Sequence, residues 1–585
     1  MQEKAPLLTK VSGGTSIVFK NKELYSRSSP RTRAEERAAA FELETHTLYI
    51  LASPLLWYGV FELLKKLPSS SHIIAVEQEP QLAALSISHQ PLELSRFKQL
   101  DIGFYPEGSS DAGSTGDIFK SIPALVEKLG IERFRRVRLL TLNGGYRLNS
   151  SRYKELVQLL EEEIQQFWHN KYTIMHMLPL WIKNVFHNLA QCTFPEAPPL
   201  NKHVTRPETR PEQKRPHLAS CPRFGLPKTS LPVLVAGAGP SLDMHNDFIR
   251  RYRDTIYLLT VDTAYSVLLQ HGIKPDMVVV QESQFYNLYD FISQPRIEAD
   301  ILADISSYPQ ILRLGAGNIY FYATEFVNTQ LFSRLQEAEL LPPRIPPLGS
   351  VGTTAVHAAL SITDSTVILA GIDFAFPPGQ THARGAPRHQ LNLQHCHRFL
   401  GIEDMWPRTT KGVSPTPDAS DDMGVPLRTT PSLRRYADNF TRIFTSLDRM
   451  LLLKPRGLPL GIPELTEAEL APDLSSVEKR VIPHTAPSMP SMGDSEAVKG
   501  FLQREQELLR LIYTQGLAFL EGRLSEAELT KLLSNIHRCE YLFLHFPETG
   551  PSLRKLEPAL IKRIMVTAGH YIRVINEALE LIPRS

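Results

Sequence analysis

The stretch that decides the fold is PVLVAGAGPSLD, residues 232–243. Its apolar run at 233–235 is typical of a short buried strand, and it leads directly into the turn Gly237, Ala238, Gly239, Pro240 and Ser241. The two glycines allow a tight turn and a close approach of the backbone to a ligand, and proline suits the first position of a helix. We therefore predict a strand, a turn and a helix whose first amides favour an anion such as phosphate.

The same turn also has a purely structural explanation, because every doubly wound α/β sheet needs units of strand, turn and helix. The dinucleotide fingerprint requires a third glycine three positions after the second, and Leu242 and Asp243 occupy that part of the chain. The sequence thus disfavours NAD binding. It leaves a phosphate site and a structural turn both open.

Polar or glycine residues follow the other strands predicted in this region, which cover 256–261, 277–280 and 366–370. The residues concerned are Asp262 and Thr263, then Gln281 and Glu282, then Gly371, Ile372, Asp373 and Phe374. Because ligands of open parallel sheets bind outside the carboxyl ends of the strands, these groups predict a nucleotide-type site.

A second glycine turn at 349–354 opens a predicted helix that continues to 362. Its polar and glycine residues are Ser350, Gly352, Thr353 and Thr354. Hydroxyl groups at a helix start either cap its amides or donate to an anion, and the spacing does not decide between these roles.

Length and composition indicate several globular domains. The chain has 585 residues, of which 42% are hydrophobic and 22% charged. Its 64 basic and 62 acidic residues give a net charge of +2, which provides no global field for nucleic acid. The 4 cysteines are widely spaced without a CxxC pattern, so neither a disulfide framework nor a structural zinc site is indicated.

Neither a signal peptide nor a membrane helix is expected. The first residues carry Glu3, Lys4 and Lys10 and lack an apolar core, and the most apolar stretch, 48–64, is interrupted by polar residues and proline. That stretch is also shorter than the roughly 20 residues that a membrane helix needs. We therefore expect a cytoplasmic protein without a membrane partner.

The alternation of strands and helices predicts an α/β fold. A Rossmann-like central domain is expected with a smaller α/β N-terminal domain and an α-helical C-terminal domain. The predicted boundaries are a loosely ordered lead-in at 1–45, the N-terminal domain at 46–195, a Pro-rich linker at 196–231, the central domain at 232–455, a second linker at 456–494 and the helical domain at 495–585. Predicted helices in the N-terminal domain include 151–167 and 174–190, and a helix over 431–453 closes the central domain.

Residues 376–425 are expected to form a long irregular insert in the central domain. It contains His382, His389, His395, Cys396 and His397, but their spacing matches no common zinc site, so we predict no metal site. Loops of this length inside a compact domain are usually functional or disordered.

The central domain resembles a known family. The matching motifs are GAGPSLD at 237–243, VDTAY at 261–265, GIKPD at 272–276, GSVGTTA at 349–355, GID at 371–373 and THARG at 381–385. The chain resembles the motility-associated factor (Maf) proteins, which are bacterial flagellin glycosyltransferases. Their central domain is similar to archaeal 6-hydroxymethylpterin diphosphokinases and, more distantly, to bacterial sialyltransferases that use a CMP-activated sugar. The resemblance is most specific over about 230–375.

This resemblance implies that the turn with Gly237, Gly239, Pro240 and Ser241 lies against the nucleotide phosphate. Asp262 stands where the sialyltransferases have an asparagine facing the donor, and the turn at 350–352 and the strand end at 371–374 match theirs. Two departures exist. Ala238 replaces an asparagine, and the segment 427–430 lacks the histidine that acts as their general base.

The resemblance implies a glycosyltransferase that passes a nonulosonic, sialic-acid-like sugar from a CMP donor to Ser or Thr of flagellin. In that chemistry the amides and hydroxyls at 239–241 and 350–354 bind the leaving phosphate. His382, or an acidic group such as Glu282, is the candidate base. Asp262, Glu282 and Asp373 compete for the role of stabilising the cationic sugar. No cofactor is required beyond the CMP-activated donor, and a role for Mg²⁺ stays open.

Two rival functions stay open. One is an ATP-dependent diphosphotransferase like the pterin enzymes, which would need Mg²⁺ held by clustered carboxylates. The other is a non-catalytic escort that binds flagellin through residues 495–585, since Ala238 and the missing histidine both weaken the catalytic interpretation.

Overall fold

The structure is a computed structural model. It describes the following residues: 5–104, 118–191, 226–292, 294–315, 317–324, 329–401, 414–420, 424, 426–445, 447–453, 457–479, 495–550, 553 and 556–582. The chain divides into two compact units, Met1–Met175 and His176–Ser585.

The first unit contains a small antiparallel sheet and a parallel sheet. The antiparallel sheet has the order β1 (Leu7–Val11), β2 (Gly14–Phe19) and β3 (Lys22–Glu23). The strands of the parallel sheet are β4 (Thr47–Ala52), β5 (His72–Glu77), β6 (Leu100–Phe104) and β7 (Arg136–Thr141), in the order β6-β5-β4-β7. The helices are α1 (Pro30–Ala40), α2 (Val60–Lys66), α3 (Pro80–Ser88), α4 (Ile118–Leu129) and the start of α5 (Ser150–Gln191).

Two expectations for this part of the chain are wrong. The segment before residue 45 is not a loose lead-in, because Ile17, Phe19, Leu24 and Ala34 are buried in a hydrophobic cluster that also contains Leu55, Leu56 and Leu82. The two helices expected between 151 and 190 are the single continuous helix α5, so the polar residues between them interrupt only the apolar pattern and not the helix.

The second unit is built on a parallel sheet. Its strands are β8 (Val233–Ala236), β9 (Tyr257–Val261), β10 (Met277–Val280), β11 (Asp300–Asp304), β12 (Ile319–Thr324), β13 (Arg344–Ile345), β14 (Val367–Ala370), β17 (Met450–Leu453) and β18 (Glu464–Leu465). They lie in the order β13-β12-β11-β10-β9-β8-β14-β17-β18, and every pairing is parallel. The chain therefore builds one side of the sheet outward from β8 and then returns to β8 with β14, which places a topological switch point between these two strands.

Helices cover this sheet and bury its apolar strands. They are α6 (Leu242–Arg251), α7 (Asp262–Gln270), α8 (Pro309–Leu312), α9 (Gln330–Glu337), α10 (Val351–Ile362), α11 (Pro387–His395), α12 (Pro431–Phe444) and α13 (Glu467–Ser476). The hydrophobic core contains all four residues of β8 and of β14, each with at most 1% exposure. The structure thus confirms the predicted α/β class.

Three local expectations for this region are corrected. The helix predicted over 431–453 is α12 followed by strand β17, because a short run of four apolar residues fits a buried strand as well as a helix. The linker predicted at 456–494 is structured over its described part, where Leu458, Leu460, Leu470 and Leu474 join the core. Residues 480–494 lie outside the described residues, as do 196–225 of the first predicted linker.

The predicted insert at 376–425 is also more regular than expected where it is described. It contains helix α11, and strand β15 (Ser414–Ser420) pairs antiparallel with β16 (Pro426–Thr429) just after it. The predicted C-terminal helices are observed as α14 (Ser495–Leu520), α15 (Glu526–Arg538) and α16 (Pro558–Leu581). Among the described residues, no helix combines the length and the apolar character that crossing a membrane requires.

Candidate functional site

A pocket of about 330 Å³ lies at the switch point of the central sheet. It is formed by the loop after β8, the loop after β14, the start of α10 and part of the insert. The predicted site residues that line it are Gly237, Gly239, Pro240, Thr263, Ser350, Gly352, Gly371, Asp373, Phe374 and His382. With Thr263, which follows β9, the structure brings together groups from five separate parts of the chain, at the place where open α/β sheets bind ligands.

The glycines of the two loops are required because the loops touch. The amide of Gly237 donates to the carbonyl of Ala370 at 2.8 Å, and the amide of Gly239 donates to the carbonyl of Gly371 at 2.8 Å. A Cβ added to Gly239 would lie 2.3 Å from Asp373 Oδ2, and one added to Gly237 would lie 2.4 Å from the carbonyl oxygen of Gly371. These amides are thus used by the fold, and the first glycine turn has a structural role.

Ser241 does not have the position that the sequence predicted. Its side chain is fully buried, its amide donates to Asp373 Oδ2 at 2.8 Å, and its hydroxyl donates to Asp373 Oδ1 at 2.6 Å. Helix α6 begins at Leu242, so Pro240 lies in the turn before the helix and not at its first position. Ser241 and Asp373 consequently join two of the loops that border the pocket; Asp373 lines the pocket, whereas Ser241 does not.

The start of α10 is the better phosphate site. Ser350 caps this helix, because its Oγ accepts from the amide of Thr353 at 3.2 Å and lies 2.7 Å from the hydroxyl of Thr353. Within the described residues, no acceptor is found for the amides of Val351 and Gly352, the first two of this helix, and both residues line the pocket. These two donors, with the dipole of a 12-residue helix behind them, favour an anion.

The remaining hydroxyls of this turn support the helix start. Thr353 and Thr354 are buried, and Thr354 Oγ1 donates to Gln281 Oε1 at 3.0 Å and to the carbonyl of Ser350 at 3.2 Å. The residue Gln281 follows strand β10, so this bond connects the helix start to the sheet. The prediction that Thr353 and Thr354 contact a ligand does not fit these positions.

His382 lines the pocket and is half-buried. Its Nδ1 lies 3.0 Å from Thr381 Oγ1. Burial lowers the pKa of His382 below its usual value near 6.5, and the positive charge of Arg388 lowers this pKa further. The imidazole is therefore neutral at pH 7 and able to accept a proton.

Asp262 lies behind the pocket. It is buried and accepts from the amide of Thr263 at 2.8 Å and from Asn287 Nδ2 at 2.7 Å. The same Asn287 nitrogen donates to Asp290 at 2.9 Å. Burial raises the pKa of both carboxyl groups, and the charge of Asp262 raises the pKa of Asp290 further. Asp262 does not line the pocket, and neither does Glu282, which is exposed and accepts from the amide of Gln284.

Several residues that line the pocket were not predicted as site residues from the sequence. They are Ala238, Val261, Val351, Ile372, Ala375, Phe376, Thr381, Thr430 and Leu433. One signal was present in the chain, because Thr430 precedes Pro431 and caps α12 by accepting from the amide of Leu433 at 3.1 Å. The other contacts depend on how the insert folds over the sheet.

Phe374, which was predicted, adopts a backbone φ of 50°. A bulky residue in this left-handed region is uncommon, and such strain is often found at functional sites. Its carbonyl accepts from Thr429 Oγ1 at 2.8 Å, which holds the strained loop against strand β16.

The described part of the chain contains no group of three or more His, Cys, Asp or Glu side chains arranged to hold a metal ion. The carboxylate oxygens closest to the pocket are already used, since Asp373 accepts from Ser241.

One family model matches the part of the chain that supplies most of this pocket. Residues 214–379 match a family model described as 6-hydroxymethylpterin diphosphokinase MptE-like. That segment contains both glycine turns and strand β14.

One relative and a solved structure match most of the chain, and a second relative matches a shorter part. An uncharacterized protein of Treponema pallidum (strain Nichols) is 27% identical over 592 residues, covering 98% of this chain and 95% of the relative. A second uncharacterized protein of that organism is 31% identical over 124 residues, covering 20% of this chain and 32% of the relative. The structure of a MAf glycosyltransferase from Magnetospirillum magneticum AMB-1 has a TM-score of 0.52 and 14% identity, covering 100% of this chain and 90% of that one. The chain thus shares the fold of that glycosyltransferase.

Proposed function

We propose that this chain is a glycosyltransferase that passes a nonulosonic, sialic-acid-like sugar from its CMP donor to a Ser or Thr hydroxyl of flagellin. The observation that supports this most directly is the pocket at the switch point, where two helix-start amides and a neutral histidine face the same space. The shared fold of the MAf glycosyltransferase supports the reaction class. The reaction is proposed to take place in the cytoplasm, before flagellin leaves the cell.

The phosphate of the donor is assigned to the start of α10. The amides of Val351 and Gly352 would donate to its oxygens, and Arg388, whose charge acts on His382, would add positive potential. Negative charge grows on this phosphate as the sugar departs. Donors fixed before the reaction therefore stabilise the transition state without reorganising.

His382 is assigned the role of the base that takes the proton of the acceptor hydroxyl. The acceptor oxygen forms a bond to the anomeric carbon of the sugar, and the bond from that carbon to the phosphate oxygen breaks with its electron pair leaving on CMP. The hydroxyl proton passes to the neutral imidazole of His382, so charge and atoms balance. The donor sugar's own carboxylate remains on the transferred residue.

Glu282 and Asp373 are not assigned to the proton transfer. Glu282 lies outside the pocket, and both oxygens of Asp373 already accept from Ser241. Asp262 is assigned to positioning Thr263, which lines the pocket, through their hydrogen bond of 2.8 Å.

The phosphate assignment is tested by replacing Val351 with proline. This substitution removes the amide donor and the valine side chain but fits the backbone, because position 351 is the first of the helix and Ser350 has the extended backbone, φ −137° and ψ 151°, that precedes proline. We expect the variant to melt near the parent and to bind CMP about tenfold more weakly. The control is Val351→Ala, which loses the side chain but keeps the amide. Equal CMP affinity in the proline variant and the alanine variant would contradict the assignment.

A second candidate is diphosphate transfer from ATP, which the match of residues 214–379 favours. That chemistry would need carboxylates free to hold Mg²⁺. In this structure Asp262 and Asp373 are both engaged in hydrogen bonds, so they do not fit a resident Mg²⁺. Thermal shifts separate the two functions, since the proposed enzyme is stabilised by CMP, and stabilisation only by ATP with Mg²⁺ would favour the diphosphotransferase.

A further inference from the structure

The first unit has a pocket of its own, with a volume of about 490 Å³. It is lined by Arg37 and Phe41 from the end of α1, and by Thr141, Asn143, Tyr146 and Arg147 from the end of β7 and the loop after it. Strand β7 pairs with β4 on the side opposite β5, so the order β6-β5-β4-β7 reverses direction at this point. This pocket is therefore also at the switch point of an open parallel sheet.

In this sheet the loop after its first strand, β4, leaves no space for a ligand. The loop after β4 contains Leu55, Leu56 and Trp57, whose side chains are 0%, 7% and 2% exposed. The indole nitrogen of Trp57 donates to the carbonyl of Ser86 at 2.7 Å, which fixes the ring inside. Open space is left on the side of β7.

The loop after β7 is held in place by a buried amide. Asn143 Nδ2 donates to the carbonyl of Ser53 at 2.7 Å, and Asn143 Oδ1 accepts from the amide of Gly145 at 2.8 Å. A Cβ on Gly145 would lie 2.2 Å from Ser53 Oγ, so the close contact requires glycine there. The loop that presents Tyr146 and Arg147 is consequently rigid before any ligand arrives.

The two arginines of this pocket are available to a ligand. Neighbouring arginines of the unit are paired, Arg31 with Glu35 at 2.8 Å and Arg136 with Glu44. In the described residues, no carboxylate partner is found for Arg37 or Arg147, and both are exposed. Two unpaired guanidinium groups facing one space match the geometry of phosphate oxygens.

We propose that this pocket binds an organic phosphate the size of a nucleoside monophosphate. The two arginines hold the phosphate, and the rings of Phe41 and Tyr146 contact the cyclic part of the ligand. The volume falls within the range of small-molecule sites. This site is separate from the pocket of the central sheet and does not rest on the function proposed for it.

The test is calorimetric titration of the full chain with AMP, with CMP and with inorganic phosphate. We expect a binding event for at least one nucleotide that is weakened about tenfold or more in Arg37→Gln and in Arg147→Gln. The matched control is Arg33→Gln, one turn earlier on α1, exposed and outside the pocket lining. The event should also persist in Val351→Pro, which alters only the central pocket.

Inorganic phosphate should bind more weakly than the nucleotide, because it lacks the ring that Phe41 and Tyr146 contact. The proposal is overturned if no nucleotide binding depends on Arg37 and Arg147, or if Arg33→Gln weakens binding equally. Because all three arginines are exposed, each variant should melt near the temperature of the parent. Thermal unfolding of the same samples measures this.

Discussion

Ser241 and Asp373 lie 132 residues apart in the sequence and are joined by two hydrogen bonds, from the amide of Ser241 at 2.8 Å and from its hydroxyl at 2.6 Å. Asp373 is 2% exposed and Ser241 is fully buried. The bonds connect the loop after β8 to the loop after β14, and both loops border the central pocket. The shape of the pocket therefore depends on a contact that is itself inaccessible to substrate.

Ser241→Ala should destabilise the second unit. The substitution removes the hydroxyl donor from a buried carboxylate, and we expect a loss of about 1–3 kcal/mol in the free energy of unfolding. Urea unfolding of the parent and the variant measures this difference. The control is Ser475→Ala on an exposed face of α13, which should change stability by less than about 0.5 kcal/mol. A variant at Ser241 that is as stable as this control would contradict the anchoring role.

Gly239→Ala should be more damaging than Ser241→Ala. Its new Cβ would lie 2.3 Å from Asp373 Oδ2 and 2.7 Å from the carbonyl oxygen of Gly371, so the two loops must separate. We expect a loss of melting temperature together with loss of CMP binding. Gly500→Ala in α14 is the control, since its Cβ would meet only Arg504 Nη1 at 3.3 Å and alanine favours a helix. A Gly239→Ala protein with the parent's melting temperature would show that the loop contact is not required.

The pH dependence of transfer should report His382. Burial and the nearby Arg388 lower its pKa below 6.5, so activity should be retained at neutral pH and fall only as the pH is lowered towards that reduced pKa. His382→Gln should remove this loss of activity at low pH, the acid limb of the pH profile, and should reduce kcat. His389→Gln, at an exposed position of α11 that does not line the pocket, should keep both the limb and the rate. An acid limb that persists unchanged in His382→Gln would assign the base elsewhere.

Glu77 should make the first unit less stable as pH rises. Burial raises the pKa of Glu77 from 4.5 to about 7, although Ser53 and the amides of Gln78 and Glu79 donate to it. The folded state therefore binds more protons than the unfolded state between these values, so the stability that this group contributes is present below pH 4.5 and is lost as pH rises through 7.

The measurement is urea unfolding of the parent and of Glu77→Gln across this range of pH. Relative to the parent, the free energy of unfolding of the variant should rise by about 2–3 kcal/mol between pH 4.5 and pH 7. Glu93→Gln, at an exposed position, should follow the parent. A difference between parent and Glu77→Gln that is independent of pH would contradict the raised pKa.

The sequence predicted the α/β class and the strands of the central sheet because their apolar runs end at glycine and polar residues. It could not predict the order of the strands, since periodicity does not say that β14 returns beside β8. The contact between Ser241 and Asp373 follows only from that order. This is why Ser241 was expected to bind phosphate, although its hydroxyl is used inside the fold.

Other differences have the same origin. The run at 450–453 is too short to distinguish a strand from the end of a helix, and it is a strand because it pairs with β14. The polar segment before residue 45 folds because a few apolar residues such as Ile17 and Phe19 find partners in the loop after β4. His382 lines the pocket, and it belongs to the THARG motif that follows β14.

The measurement that tests the central claim most directly is the intact mass of flagellin after incubation with the purified chain and a CMP-activated nonulosonic acid. We predict a mass increase by whole numbers of the sugar residue, greatly slowed with His382→Gln and unaffected by His389→Gln. Val351→Pro should need a higher donor concentration for the same increase. Flagellin whose mass does not change with the parent protein and a suitable donor would contradict the proposed transfer.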